Sequence, residues 1–303
     1  MNYEYYKIFY YVGKHKNITR AAVELYSSQP AVTRAIQNLE TELGCRLFVR
    51  TKNGVEFTHE GQTLFDYVRI AHSQILKGEE EINQSINAES GTIYIGTTVT
   101  ALHSFLFDVL DDFHLKHPNV KFKINTGSNN ATIEKLKNGI VDVAFVSTPC
   151  NTSKTLNTVN VKDFNDILIA GNNFAQLKNK TLKLDDLKNH PFVSLRHSLQ
   201  LRQFIDDFFA ANEISVTPDI EADSADLLIP MISHNFGLGF VPQGMAEDAI
   251  SRGEVFRIPL EKEMPKRYIR MITDFHHPQT NASREFSKAI LMSLKIKLPP
   301  ALI

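Results

Sequence analysis

The sequence predicts an α/β chain in three parts: a small all-α N-terminal domain closed by a hairpin, a long linking helix, and a larger domain of alternating strands and helices. Three observations carry this prediction. Apolar residues recur at i, i+3 and i+4 in three short runs before an Asn53-Gly54 turn. From Thr58 onward a helical spacing persists without a breaker for about thirty residues. Beyond Gly91, short apolar runs alternate with amphipathic helical patterns, which is how α/β domains read. The bulk numbers agree: 303 residues can build two or three cores, and 43% hydrophobic residues excludes global disorder.

Within the first part, Tyr5, Ile8, Phe9 and Val12 form one apolar face. After a break at Lys16-Asn17, Ile18, Ala21, Ala22 and Leu25 form a second, with Thr19 as the expected cap. Tyr26-Ser27 reads as a turn. Ser28 then caps a third helix that carries Pro30 in its first turn, where a missing N–H costs nothing. Val32, Ile36, Leu39 and Leu43 stack on one side of this helix, and Gly44 ends it. Pro30, Thr33, Arg34, Gln37 and Asn38 fall on the other side, a face rich in hydrogen-bonding groups and poor in acids. Such side chains can reach base edges and phosphates in a major groove. Two β-type runs then flank Asn53-Gly54, with Arg50 and Lys52 near the tip. This is a wing that presents cations beside the groove, which makes the part a winged helix-turn-helix. Spacing alone also fits a small helical domain that merely packs, with its cations solvated.

Order and register add to the spacing. Ala21-Ala22, Ser28-Gln29-Pro30-Ala31-Val32-Thr33-Arg34, Leu39-Glu40, Glu42-Leu43-Gly44, Leu47-Phe48-Val49-Arg50 and Thr58-His59-Glu60-Gly61 closely resemble the LysR-type transcriptional regulator family. The resemblance is dense over residues 1–61 and thinner beyond. It implies a DNA-binding transcriptional regulator, not an enzyme, without a cofactor. Its double-stranded operator would be dyad-symmetric, and RNA polymerase is a further partner. By that resemblance Gln29, Thr33 and Arg34 read bases and hold position in the groove, and Ser28, Arg50 and Lys52 contact phosphate. Where the family often has cations late in the recognition helix, this chain has Gln37 and Asn38.

The long helix carries Leu64, Val68, Ala71, Ile75, Gly78 and Ile82 at alternating spacings of four and three, a coiled-coil seam. A lone helix with a narrow apolar stripe needs cover. Either another copy supplies it or the chain's own body does. The family uses this segment as a dimerising linker, so a homodimer or homotetramer is expected. The expected domains are 1–58 for DNA binding, 59–89 for the linker and 90–303 for effector binding.

In the third part, strands are expected at Thr92–Thr97, Val120–Asn125, Val141–Val146, Ile167–Ala170, Asp219–Glu221, Gly237–Val241, Val255–Ile258 and Tyr268–Thr273. Helices fall between them, and one closes the domain over Arg284–Leu294. The alternation predicts a mostly parallel sheet. The resemblance implies the two-lobed, type II periplasmic-binding-protein-like fold, with a small-molecule effector between the lobes. Its two crossings are expected near Val161-Lys162 and Lys266-Arg267, so lobe I is 90–161 with 267–303 and lobe II is 162–266. Candidate effector contacts lie where strands end and helices begin: Thr97, Thr98, Thr100, Ser147, Thr148, Ser194, Arg196, His197, Ser198 and Arg202. Hydroxyls and backbone N–H groups there can hold an anion. The same residues also suit plain helix caps, and Arg196 suits a surface ion pair. Thr97-Thr98-Val99-Thr100 is similar to the pocket loop of sulfur-metabolism members, with Ala101 where those often carry an amide.

Other function classes find little support. No GxxxxGK[ST], HExxH, paired CxxC or nucleophile-elbow motif occurs. His276-His277 has no ligand-spaced partners, so loop histidines are expected rather than a metal site. Cys45 and Cys150 stand alone, which suits a reducing interior. No apolar run approaches the ~20 residues of a membrane span, and Met1-Asn2-Tyr3-Glu4 opens no secretory signal. A cytoplasmic protein with no membrane partner is therefore expected. Net charge of −1 is uninformative, because phosphate contact needs only one basic face. A solute-binding protein and an enzyme on a two-lobed scaffold are the competing readings.

Overall fold

The computed structural model describes residues 2–52, 54–85, 91–153, 155–274, 276–277 and 279–299. Asn53 of the expected hairpin turn and the expected linker-to-effector boundary at 89–90 lie outside the described residues. The chain divides into two compact units, Met1–Ile86 and Asn87–Ile303.

In the first unit, α1 (Tyr3–His15), α2 (Ile18–Glu24) and α3 (Gln29–Leu43) precede a hairpin of β1 (Phe48–Thr51) and β2 (Gly54–Phe57), and α4 (His59–Ser85) follows. Caps set the boundaries. Asn2 accepts from the Glu4 amide, Ser28 accepts from the Ala31 amide, and Gly44 closes α3 in the left-handed region. At α2 the cap is Asn17, which accepts from the Arg20 amide at 3.0 Å, so Thr19 falls inside the helix. Both residue types can cap, but the helix begins at Ile18, two residues too early for Thr19.

The core of this unit joins Phe9, Val12, Ala21, Val32, Ile36, Leu39, Leu47, Val55 and Val68, with Phe48, Phe57 and Phe65 packed against it. Two of the expected seam residues, Leu64 and Val68, are thus used at home, because α4 lies along α1. Ala71, Ile75, Gly78 and Ile82 remain exposed, as does Leu76.

Polar contacts fix the hairpin to the helices. Gly54 has φ +145°, and a Cβ there would meet the Lys16 carbonyl at 2.3 Å; its neighbour Val55 donates its amide to that same oxygen. Buried Glu40 accepts from the amides of Leu47 at 2.8 Å and Phe48 at 3.3 Å, and pairs with Arg46 at 3.0 Å. Thr58 donates to the Arg46 carbonyl and caps Gly61. A Cβ on Gly61 would lie 1.9 Å from the Leu47 carbonyl, so only glycine lets α4 start this close to the hairpin.

The second unit holds two sheets. In lobe I, the five-stranded order is β4-β3-β5-β12-β6, with β3 (Gly91–Thr97), β4 (Val120–Thr126), β5 (Val143–Ser147), β6 (Asn157–Phe164) and β12 (Arg267–Thr273). Helix α5 (Val99–Ala101) runs through a π-helical segment (Leu102–Leu106) into α6 (Phe107–Lys116); α7 (Asn129–Lys137) and α11 (Asn281–Ser293) complete the lobe. In lobe II, β7 (Asp166–Gly171) sits between β10 (Gly239–Pro242) and β11 (Val255–Ile258), and β8 (Val193–Leu195) pairs with β9 (Ile220–Ala222). Its helices are α8 (Gln200–Ala211), α9 (Leu228–Ser233) and α10 (Gln243–Ser251).

The sheets are less parallel than the alternation suggests. Strands β3, β4 and β5 are parallel, but β12 runs antiparallel to β5 and β6, and β7 antiparallel to β10 and β11. The odd strands are those that carry the chain between lobes. Strand β6 leads straight into β7, and β12 comes back from lobe II; without a crossover helix neither is bound to parallel pairing. The first crossing therefore falls at Asn165, between β6 and β7, and Val161-Lys162 lies inside β6. The second lies just before Arg267.

Candidate functional site

The first site is the outer face of α3 and the hairpin. Ser28, Gln29, Pro30, Arg34, Gln37, Asn38, Arg50 and Lys52 are exposed, and Thr33 is half-buried. Val32, Ala35, Ile36 and Leu39 anchor the opposite side of α3 in the core. The helix is thereby held from one side and offered from the other. Among the described residues Arg34, Arg50 and Lys52 have no carboxylate partner, so their charge is available to a ligand. Asn38 is less available, since it donates to the Tyr5 hydroxyl at 3.1 Å. Tyr26, which the sequence places in a turn, is 99% exposed there with a positive φ of 50°.

The second site is a cavity of about 310 Å³ between the lobes. Of the ten candidates, it brings together Thr98, Thr100, Ser147 and Ser198. The other six do not line it. Thr97 is fully buried and donates to the Thr98 carbonyl; the Thr148 hydroxyl accepts from the Tyr268 amide. Ser194 is buried within lobe II. Arg196 pairs with Asp223 at 2.5 Å, and His197 bonds Asp206. Arg202 is held by Asp206 at 2.7 Å, Glu221 at 3.0 Å and the Leu195 carbonyl.

Sequence reasoning missed most of the wall. Thr126, Gly127, Ser128, Asn129 and Asn130 line the cavity between β4 and α7, and Gln200 and Ser224 do so from lobe II. The available signal was the Ser128 cap one residue beyond a strand, an arrangement close to that of Thr98. Asn129 donates to the Ser147 and Pro149 carbonyls and, across the lobes, to Gln200 Oε1 at 2.7 Å. The lobes are thus bridged at the cavity wall.

Among the described residues that line the cavity there is no lysine, arginine or histidine, and the single carboxylate, Asp223, is the one paired with Arg196. Positive potential comes instead from helix starts. The helical run from Val99, α7 and α8 all begin at the wall, and no side chain caps α8. The Thr100 hydroxyl is 4% exposed by residue, lines the cavity, and has no partner among the described residues. Among those residues no group of three or more His, Cys, Asp and Glu side chains gathers as a metal site; His276 bonds Asp274 and His277 the Lys137 carbonyl. No helix among them is long and apolar enough to cross a membrane.

Comparison with known proteins places both halves. Residues 4–62 match the family of bacterial regulatory helix-turn-helix proteins, lysR family, and residues 87–295 match the LysR substrate binding domain. Among curated relatives, the HTH-type transcriptional regulator CzcR of Bacillus subtilis is 28% identical over 260 residues, 85% of each chain. The transcriptional dual regulator GltC of the same organism is 25% identical, covering 94% of this chain and 95% of its own. Among solved structures, CbnR, a LysR family transcriptional regulator, superposes with a TM-score of 0.79 at 20% identity, covering 97% of this chain and 99% of CbnR. CbnR is also solved with its target DNA, and that chain matches with the same TM-score. The virulence activator AphB of Vibrio cholerae gives 0.61 at 17% identity, covering 96% and 99%. With a helix-turn-helix followed by a two-lobed substrate-binding domain across most of its length, the chain belongs to the LysR family of DNA-binding transcriptional regulators.

Proposed function

We propose that the chain reads a dyad-symmetric operator with α3 and alters those contacts when a small anionic effector enters the cavity between its lobes. Gln29, Thr33 and Arg34 touch base edges, while Ser28, Arg50 and Lys52 hold phosphates. Pairs of copies joined through the exposed α4 stripe at Ala71, Ile75 and Ile82 set two recognition helices in successive major grooves. The protein acts in the cytoplasm, where operator and effector meet.

The observation that carries the effector reading is the cavity wall, where helix starts and the hydroxyls of Thr98, Thr100, Ser128 and Ser147 converge without a cationic side chain. Oriented N–H groups and hydroxyls favour an anion that sheds much of its water on binding. Ligand that bridges the lobes favours one interlobe angle, and the shift reaches the DNA contacts by linkage. Isothermal calorimetry of the full chain against a panel of small metabolites tests this. Binding of carboxylates or other oxyanions, weakened by Thr100→Val, is expected. A panel in which only neutral or cationic compounds bind overturns the anionic reading.

A further inference from the structure

Two residues that stand first in their strands, Asp166 in β7 and Arg267 in β12, meet at the two lobe crossings. Their side chains are almost wholly buried, 0% and 2% exposed, and Arg267 Nη1 lies 2.9 Å from Asp166 Oδ2 and 3.1 Å from Oδ1. The guanidinium has further work. Its Nε donates to the Thr148 carbonyl at 2.5 Å, and its Nη2 donates to Ser147 Oγ at 3.1 Å. Phe164 and Phe204 place their rings against it, with centroids at 4.8 and 5.5 Å. A buried ion pair is a weak device for stability, since apolar residues of the same volume commonly serve as well. Its distinguishing property is that it fixes directions.

The direction that matters is at Ser147, which lines the cavity. Arginine can only donate, so Ser147 Oγ must accept from it. That leaves the hydroxyl proton free to be given elsewhere, and the hydroxyl donates to no group among the described residues. We propose that Arg267, held by Asp166, is a positioning residue that takes up one acceptor lone pair of Ser147 and leaves its proton to be donated into the cavity, so that the site favours ligands presenting a hydrogen-bond acceptor over isosteric donors. The proposal rests on the reading of this cavity as the effector site. It adds a residue to that site, Arg267, which itself does not line the cavity.

The test uses two small ions of the same shape and opposite hydrogen-bond polarity, acetate and acetamidinium. Differential scanning calorimetry of the full chain compares sodium acetate, acetamidinium chloride and sodium chloride at equal ionic strength. For the native sequence, acetate at several times its Kd raises Tm by about 2 °C over sodium chloride, and acetamidinium does not. Ser147→Ala narrows the difference between the two ions, leaving the part that the helix starts supply. Arg267→Met combined with Asp166→Leu replaces the pair by apolar side chains and frees both Ser147 lone pairs to accept, so the advantage of acetate over acetamidinium narrows here too. Arg267→Lys, which cannot serve Asp166, Thr148 and Ser147 together, moves selectivity the same way and covers the case in which the double variant does not fold. A merely structural role would move the baseline Tm and leave the selectivity unchanged. Native selectivity retained in Ser147→Ala, or in both the double variant and Arg267→Lys, overturns the proposal and leaves the cavity reading standing. No acetate effect on the native chain overturns the cavity reading, and the proposal with it.

Discussion

Glu40 shows how one buried carboxylate can hold a recognition domain together. It is 8% exposed, and one of its oxygens accepts from two successive amides at the start of the hairpin, Leu47 at 2.8 Å and Phe48 at 3.3 Å. Glu40→Ala removes both acceptors at once. The Leu47 amide belongs to a residue 1% exposed, where an unpaired donor costs about 1–3 kcal/mol. Phe48 is half-buried, so its longer bond adds about 0.5–1 kcal/mol. The Arg46 pair adds little, ~0–1 kcal/mol, because that side chain is 77% exposed. A total loss of about 1.5–5 kcal/mol is expected. Glu40→Gln keeps an acceptor for the amides and gives up only the charge, so about 1 kcal/mol is expected. The chain carries no tryptophan, and its tyrosines other than Tyr94 and Tyr268 all fall in residues 1–86. Tyrosine fluorescence in a urea titration of the full chain therefore follows this unit in particular. Equal losses in the two variants would refute the reasoning, because they would show that charge and not amide capture matters. A loss below 0.5 kcal/mol for Glu40→Ala, read against the ~1 kcal/mol of an ordinary hydrogen bond, would refute it too.

Other expectations follow from single contacts. Gly61→Ala would set a methyl carbon 1.9 Å from the Leu47 carbonyl, and forcing α4 away from the hairpin should cost at least about 2 kcal/mol in the same titration. Arg34→Ala should weaken specific operator binding by about 1–3 kcal/mol while sparing random DNA. Arg50→Ala or Lys52→Ala should instead weaken both and lower the salt slope by about one ion each, measured by fluorescence anisotropy across salt. His72, buried on α4 against Tyr10 and Tyr11 and bonded to the Tyr3 hydroxyl, has its pKa pushed below the ordinary value near 6.5, first by burial and then by Lys7. Because the folded state disfavours the proton, the stability tied to this group is present above about pH 6.5 and is lost as pH falls from there through the lowered pKa. His72→Phe should flatten that part of the stability–pH curve.

How much of this was legible in the sequence depends on the range of the interaction. Ser28, Pro30 and Gly44 announce the ends of α3 because capping is local chemistry, and Val32, Ile36 and Leu39 announce its buried side by period. Strand β6 escaped notice because its apolar residues, Val159, Val161 and Phe164, break the period of two, and its pairing with β12 shifts register between Ile269 and Arg270. Two of the six seam residues in α4, Leu64 and Val68, face α1, and the sequence left this open for a related reason: a stripe at spacings of four and three looks the same whether it faces a partner copy or α1. The cavity was legible only in its smaller part. Thr98, Thr100, Ser147 and Ser198 follow strand ends, whereas Asn129 and Gln200 meet only when the lobes do. The Asp166–Arg267 pair, 101 residues apart in sequence, leaves no local trace at all.

The central claim, sequence-specific DNA recognition by α3 and the wing, is tested most directly by incubating the full chain with fragmented genomic DNA of its source at two salt concentrations and sequencing what stays bound. Nonspecific retention falls steeply with salt, whereas base contacts persist. A small set of salt-resistant fragments is expected, sharing an inverted repeat with half-sites about one helical turn apart. Uniform retention that disappears at the higher salt, or no retention at either, would contradict it.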